Sequence, residues 1–222
     1  MVLAWALIGT AASAASLAHY TEAQTVKGLK EALTQGATAA VSKLGRENGY
    51  LGNQEVRIPL PGSLQRASRF MRMFGMSKYG DELELAMNRA AEAAVPKAKA
   101  LLVDTVRSMS IRDAKDIVTG NDDAATRYFR EKTQSRLHDE FMPIVAEMTK
   151  RVALAQRYDQ FAGSAASFGL IGKEDADLNE YVTNKALEGL YLVMAEEEKA
   201  IRKDPVSRGG YWLKRIFGAV RY

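Results

Sequence analysis

The sequence predicts an all-α fold, a single multi-helix bundle carrying one irregular glycine- and proline-rich loop near residues 45–62. Three observations predict it. Apolar residues recur at three- and four-residue spacing over most of the chain, cap-forming residues stand ahead of several of these runs, and glycine or proline punctuates many of their ends. At 222 residues, 47% apolar and 26% charged, the chain can bury a substantial core without staples. It contains no cysteine, which removes disulfides, thiolate nucleophiles, zinc ribbons, iron–sulfur clusters and a lipoprotein anchor.

Residues 1–14 read as an export signal. An apolar stretch from Val2 to Ile8 is followed by small residues ending in Ala12-Ser13-Ala14, an A-x-A cleavage pattern, and it is too short to span a bilayer. No Lys or Arg precedes the apolar run, so either the natural start lies upstream or the stretch is a simple N-terminal helix. The expected localisation is periplasmic or secreted, without a lipid anchor.

The bundle domain is expected over residues 15–208. Thr21 and Gln24 form a capping box for a helix whose stripe is Val26, Leu29, Leu33, Ala37, Ala40, Val41 and Leu44, with Gly45 as its stop. Gly45 to Gly62 holds four glycines and two prolines; within it Val56-Arg57-Ile58-Pro59-Leu60 alternates like a short extended segment. Ser63 is the expected cap of a helix from Leu64 to Phe74, closed by Gly75. A further helix runs from about Lys78 to Val95, Pro96 restarts one toward Met109, and Ser110 with Asp113 caps a short one ending at Gly120. Asn121 to Asp123 open a long run with Ala125, Phe129, Thr133, Leu137, Phe141, Ile144, Met148 and Val152 on one stripe, which Pro143 is expected to kink or break. Gly163 to Gly172 is a looser connection. Lys173 to Asp177 then begin a helix carrying Leu178, Val182, Ala186, Leu190, Val193 and Met194. Asp204-Pro205 and the Gly209-Gly210 hinge introduce a basic amphipathic C-terminal segment, residues 209–222.

Together these residues resemble a bacterial family catalogued as domain of unknown function 4197. The resemblance covers about Val26 to Gly218. It is carried by Leu29-Lys-Glu-Ala-Leu33, Ile58-Pro-Leu-Pro61, Met87-Asn-Arg-Ala-Ala-Glu92, Asp123-Ala-Ala-Thr126 with Tyr128-Phe129, and Tyr181-Val-Thr183 with Lys185-Ala-Leu187 and Gly189. Glu197-Glu198, Ile201-Arg202, Pro205 and Leu213-Lys214 complete it. The resemblance implies an exported helical protein, often preceded by a signal or lipoprotein sequence. It implies no activity.

The candidate polar cluster is Asn88, Arg89, Glu92, Thr126, Tyr128 and Lys185. On the helix from Lys78 to Val95, Asp81, Glu84, Asn88 and Glu92 share one face. Aligned carboxylates can bind a metal or share proton work, but a metal would want histidine ligands as in Glu-x-x-His bundles. His19 and His138 both lie outside such a motif. A polar network tying helices together is the favoured reading. Asp122, Asp123, Thr126 and Tyr128 at a helix start read as caps, and two aspartates there would repel an anion.

Asp175-x-Asp177-x-Asn179 opens like a calcium loop, yet Glu180 stands where glycine is needed and Ala186 where glutamate is. Nucleophile elbows, phosphate loops, dinucleotide fingerprints and His-Glu-x-x-His are absent from the sequence. No metal and no cofactor are expected.

Charge is uneven. The chain carries +4 overall, but Lys199, Arg202, Lys203, Arg208, Lys214, Arg215 and Arg221 crowd its last 24 residues against Asp204 alone. In that tail Trp212, Leu213, Ile216, Phe217 and Val220 form an apolar stripe, so Trp212, Lys214, Arg215 and Phe217 are the candidate membrane or partner surface. The segment either lies on an anionic membrane or docks on its own bundle, answered by Glu196, Glu197 and Glu198. A second basic amphipathic stretch sets Arg66, Arg69 and Arg72 among Leu64, Phe70, Met71 and Phe74. Nucleic acid is not an expected partner. The reading leans to a non-enzymatic exported protein binding an envelope partner or a lipid or hydrophobic ligand. The alternative is an enzyme or metal protein using the acidic and polar face of the helix 78–95.

Overall fold

The computed structural model describes residues 22–73, 75, 77–151 and 178–204, and they form an all-α bundle without strands. Its helices are α1 (Glu22–Leu44), α2 (Gly62–Arg72), α3 (Ser77–Ala94), α4 (Ala98–Ser108), α5 (Ile111–Thr119), α6 (Ala124–Arg151) and α7 (Leu178–Lys203), with a single 3-10 turn, Val95–Lys97, between α3 and α4. Among the described residues, the expected order of helices is the observed one, with ends shifted by a residue or two.

Helix α7 is the axis of the bundle. It packs on α6, α1 and α3, and it buries Val182, Ala186, Leu187, Leu190, Tyr191, Val193 and Met194 over more than one face. Apolar residues on several sides are what a central helix requires. Helix α6 needs only one seam, because Ala125, Phe129, Thr133, Leu137 and Phe141 repeat every fourth residue and all are buried. The polar member of that seam, Thr133, donates to the Phe129 carbonyl at 2.7 Å and shares a 2.9 Å bond with the Tyr191 hydroxyl.

Pro143 does not break α6, which runs as one element from Ala124 to Arg151. Pro143 and Asp139 both lie on the exposed face. Water can therefore hydrate the Asp139 carbonyl that loses its N–H partner, and the helix continues through the proline.

Two local expectations change in detail. Helix α2 begins at Gly62, one residue ahead of Ser63, so Ser63 lies inside the first turn rather than at the cap. Gly45 does follow α1, its amide bonding the Val41 carbonyl at 2.8 Å, but the left-handed residue of this corner is Asn48 (φ 62°). Gly45 is needed for space, since a Cβ there would stand 2.9 Å from Pro96 Cγ. The Ser110–Asp113 capping box is present as the sequence predicts.

The irregular loop is inlaid into the bundle. Val56, Ile58 and Leu60 are buried, alternating with exposed Arg57 and Pro59. The alternation in burial is as the sequence predicts, although the Val56 and Arg57 amides turn back to the Asn53 carbonyl at 3.2 and 2.8 Å. Each buried side chain contributes about 2 kcal/mol from the area it removes from water. The Thr21–Gln24 box, the export signal, the 163–172 connection, most of the calcium-like string and the tail with Trp212, Lys214, Arg215 and Phe217 lie outside the described residues.

Candidate functional site

The acidic and polar face of α3 grips the loop. Asn88 is fully buried; its Oδ1 accepts from the Ile58 amide at 2.9 Å, and its Nδ2 donates to the Ile58 carbonyl at 2.9 Å and the Glu84 carbonyl at 2.8 Å. One turn on, Glu92 Oε1 accepts from the Tyr50 and Leu51 amides at 3.1 and 3.2 Å, while Oε2 takes a bond from Arg89. Arg89 reaches on to Glu47 and Asn48. Arg57 pairs with Glu84, and Arg72 of α2 with Asp81. The four positions of one helix face thus hold four residues along 50–58 and Arg72 at the end of α2, and Arg89 adds Glu47 and Asn48.

Tyr50 locks the same loop to α7. Its ring is buried and its hydroxyl donates to the Ala186 carbonyl at 2.6 Å. Burial, and then the charge of Glu92, push its ionisation well above the ordinary tyrosine range. Gly189 makes the crossing feasible: a Cβ there would lie 2.7 Å from Tyr50 Cε1 and 3.2 Å from Val56 Cβ.

The start of α6 is capped from a distance. Glu198 of α7 accepts from the Ala125 amide at 3.0 Å, the Thr126 amide at 2.8 Å and the Thr126 hydroxyl at 2.9 Å, so Thr126 is engaged in closing the helix end. Arg202 pairs with Glu198 at 2.9 Å and donates to the Ile117 carbonyl at 2.8 Å. Asp123 stands immediately before α6, its carbonyl accepting from the Arg127 amide at 2.9 Å, and its carboxylate pairs with the Arg127 guanidinium at 3.3 Å. Glu198 was missed as a structural residue because its Glu196–Glu198 run reads as a solvated acidic patch. Its register gave a signal: Leu190, Met194, Glu198 and Ile201 share one buried stripe.

Between the loop, α6 and α7 lies a cleft of about 650 Å³. Val56, Pro59, Gly189, Tyr191, Leu192 and Ala195 supply its apolar wall, and Arg57, Arg127, Arg130 and Lys185 meet Glu55, Asp123 and Glu188 around it. Most of these charges are already matched. Lys185 donates to Glu188 at 2.6 Å, and that bond holds its ammonium above the ordinary lysine range. Glu55 is likewise raised by its hydrogen bond and repulsion with Glu196, which pairs with Lys43 at 3.3 Å. Arg130 differs. It stacks 5.0 Å over the Tyr191 ring and pairs with no carboxylate among the described residues.

Of the six sequence-predicted residues, the structure therefore brings Thr126 and Lys185 to this cleft. Asn88, Arg89 and Glu92 form a separate group that holds the loop. Tyr128 lines a different hollow of about 390 Å³ with Asp113, Asp116, Glu131 and Lys132. Burial, Asp113 and Glu131 raise its ionisation. Arg130, Tyr191 and Leu192 were not singled out from sequence; Arg130 and Tyr191 meet only through the packing of two helices distant in the chain. Among the described residues, no three His, Asp or Glu side chains converge as a metal group, and no helix is long and apolar enough to cross a membrane.

Fold and site define an all-helical protein whose inlaid loop forms one wall of a polar-rimmed cleft. Residues 19–218 match the family described as protein of unknown function, DUF4197, and the chain belongs to that family. Comparison with curated proteins and with solved structures returns no match.

Proposed function

We propose that this protein is an exported binding module that holds an amphiphilic anion in the cleft between α6, α7 and the loop, and carries out no chemistry on it. Arg130 carries the reading: it is a cation pre-oriented on Tyr191, beside the half-exposed Leu192 and with no carboxylate among the described residues to neutralise it. A carboxylate or phosphate head would pair with the guanidinium, and an aliphatic body would lie on Leu192, Val56 and Pro59. An apolar wall beside a polar group that fixes the orientation of the ligand is a usual combination in a small-molecule site.

The state of the other groups supports binding over catalysis. Asn88, Glu92 and Glu198 spend their polar atoms on backbone amides or on carbonyl and arginine partners. Lys185 is shifted away from the neutral form a base or Schiff-base lysine needs. The tail carrying Trp212, Lys214, Arg215 and Phe217 belongs to the same proposal as a second contact, with the membrane or an envelope protein, and periplasmic or secreted localisation is part of it.

Isothermal titration with dodecanoate and dodecyl phosphate tests the cleft. Saturable binding of one ligand is expected, weakened at least tenfold by Arg130→Gln and by Leu192→Asp with the thermal midpoint retained. Equal binding by the variants, or none by the parent, rejects the assignment. Native mass spectrometry of protein recovered from envelope extract should show the same class of ligand.

A further inference from the structure

We infer that α2 and the turn after it form a second site, distinct from the cleft, which docks the protein on an anionic lipid surface. The residues between Gly62 and Gly80 include Arg66, Arg69, Arg72 and Lys78 and no acidic residue. Helical geometry then sorts them. Leu64, Ala67 and Ser68 are buried, and the fit on α3 is close enough that a Cβ on Gly80 would stand 2.5 Å from Ser68 Oγ. Arg66, Arg69 and Arg72 are all exposed, on the side away from Leu64 and Ala67.

Among the described residues, the carboxylates that could neutralise this face are few. Arg72 pairs with Asp81 and Lys78 with Glu82 at 3.8 Å, both from α3. Arg66 and Arg69 have no ion-pair partner among the described residues.

The turn supplies the apolar part. A helix–helix connection is ordinarily polar, but here α2 runs out onto Met73. Met73 is 81% exposed, the most exposed large apolar side chain among the described residues, and it continues the arginine arc one turn beyond Arg69. Gly75, at φ 74°, provides the left-handed residue that lets the chain reverse. Arginines flanking an outward apolar tip fit the boundary between headgroups and acyl chains: the guanidiniums take the phosphates and the thioether enters the chain region. A polyanion without an apolar layer, such as nucleic acid, would leave Met73 with no role.

Because the chain lacks cysteine, Met73→Cys offers a unique labelling position for an environment-sensitive dye on the full-length protein. The labelled protein should show a blue-shifted emission with phosphatidylglycerol vesicles, none with pure phosphatidylcholine vesicles, and reversal in half-molar salt. Removing two surface charges in Arg66→Gln/Arg69→Gln should weaken vesicle partition about 30-fold, at about fivefold per charge. Both side chains point to solvent, so the thermal midpoint should stay at the parent value. Arg130→Gln should partition normally, separating this site from the cleft. Vesicle binding with a dye that stays solvent-like, unchanged partition in the double variant, or tighter binding to duplex DNA than to vesicles would each overturn the assignment.

Discussion

The side chain of Asn88 bonds both the amide and the carbonyl of Ile58, 30 residues earlier in the chain, and so supplies the pair of hydrogen bonds that a neighbouring strand would otherwise provide. The direction is fixed by chemistry: only the amide oxygen can accept from the Ile58 N–H. Asn88→Leu fills a similar volume but strands both backbone groups away from water, and should cost about 2–4 kcal/mol. Asn88→Asp should cost as much or more, because it places a carboxylate against the Ile58 and Glu84 carbonyls. Urea unfolding gives the size, and faster hydrogen exchange at the Ile58 amide locates the damage.

Glu92 and Glu198 make the same prediction at two helices. Alanine at either leaves two backbone amides and an arginine without their acceptor, and should cost about 3–5 kcal/mol. Glutamine keeps one acceptor oxygen for the amides and should cost clearly less. If alanine at Glu92 or Glu198 unfolds as late as the parent, these residues are not fasteners.

Gly189→Ala sets two effects against each other. Alanine gains about 1 kcal/mol of helix propensity. Its Cβ, however, would meet a Tyr50 ring that cannot retreat, tied through its hydroxyl to Ala186 and through its amide to Glu92. Overpacking of this kind costs about 1–3 kcal/mol, so destabilisation should win. Calorimetry should show a lower midpoint, accompanied by protease sensitivity in residues 46–58.

The Ser110–Asp113 cap should give stability a pH signature. Hydrogen bonds from the Ser110 hydroxyl and amide hold the Asp113 carboxyl below its usual value of 3.8. A depressed carboxylate contributes stability above its unfolded pKa and loses it as pH falls toward the folded one. Ser110→Ala should therefore lower stability by about 1 kcal/mol at pH 7. Its deficit should shrink as pH falls below about 4. A deficit independent of pH would mean the carboxylate takes no part.

What the sequence made legible followed the range of the interaction. The α6 seam and the Ser110–Asp113 box depend on residues within one or two turns, and both are where the pattern put them. Asn88 and Glu92 stood out as polar positions beside Met87, Ala91 and Ala94. Their partners did not, because backbone atoms of a loop about 30 to 40 residues away leave no mark in composition. Glu198 was hidden for the opposite reason: its neighbours Glu196 and Glu197 make it look ordinary. Pro143 misled because the general cost of an internal proline depends on whether the freed carbonyl reaches water, and exposure is a property of the packed fold.

The loop segment Val56 to Leu60 alternates buried and exposed residues like chain that a further strand could pair with. Here recruitment is blocked atom by atom. Ile58 has both backbone groups occupied, Pro59 and Pro61 have no amide to offer, and the Pro59 carbonyl takes the Tyr181 hydroxyl at 3.0 Å. The loop thus has its hydrogen-bonding edge closed off by side chains from two helices, Asn88 of α3 and Tyr181 of α7.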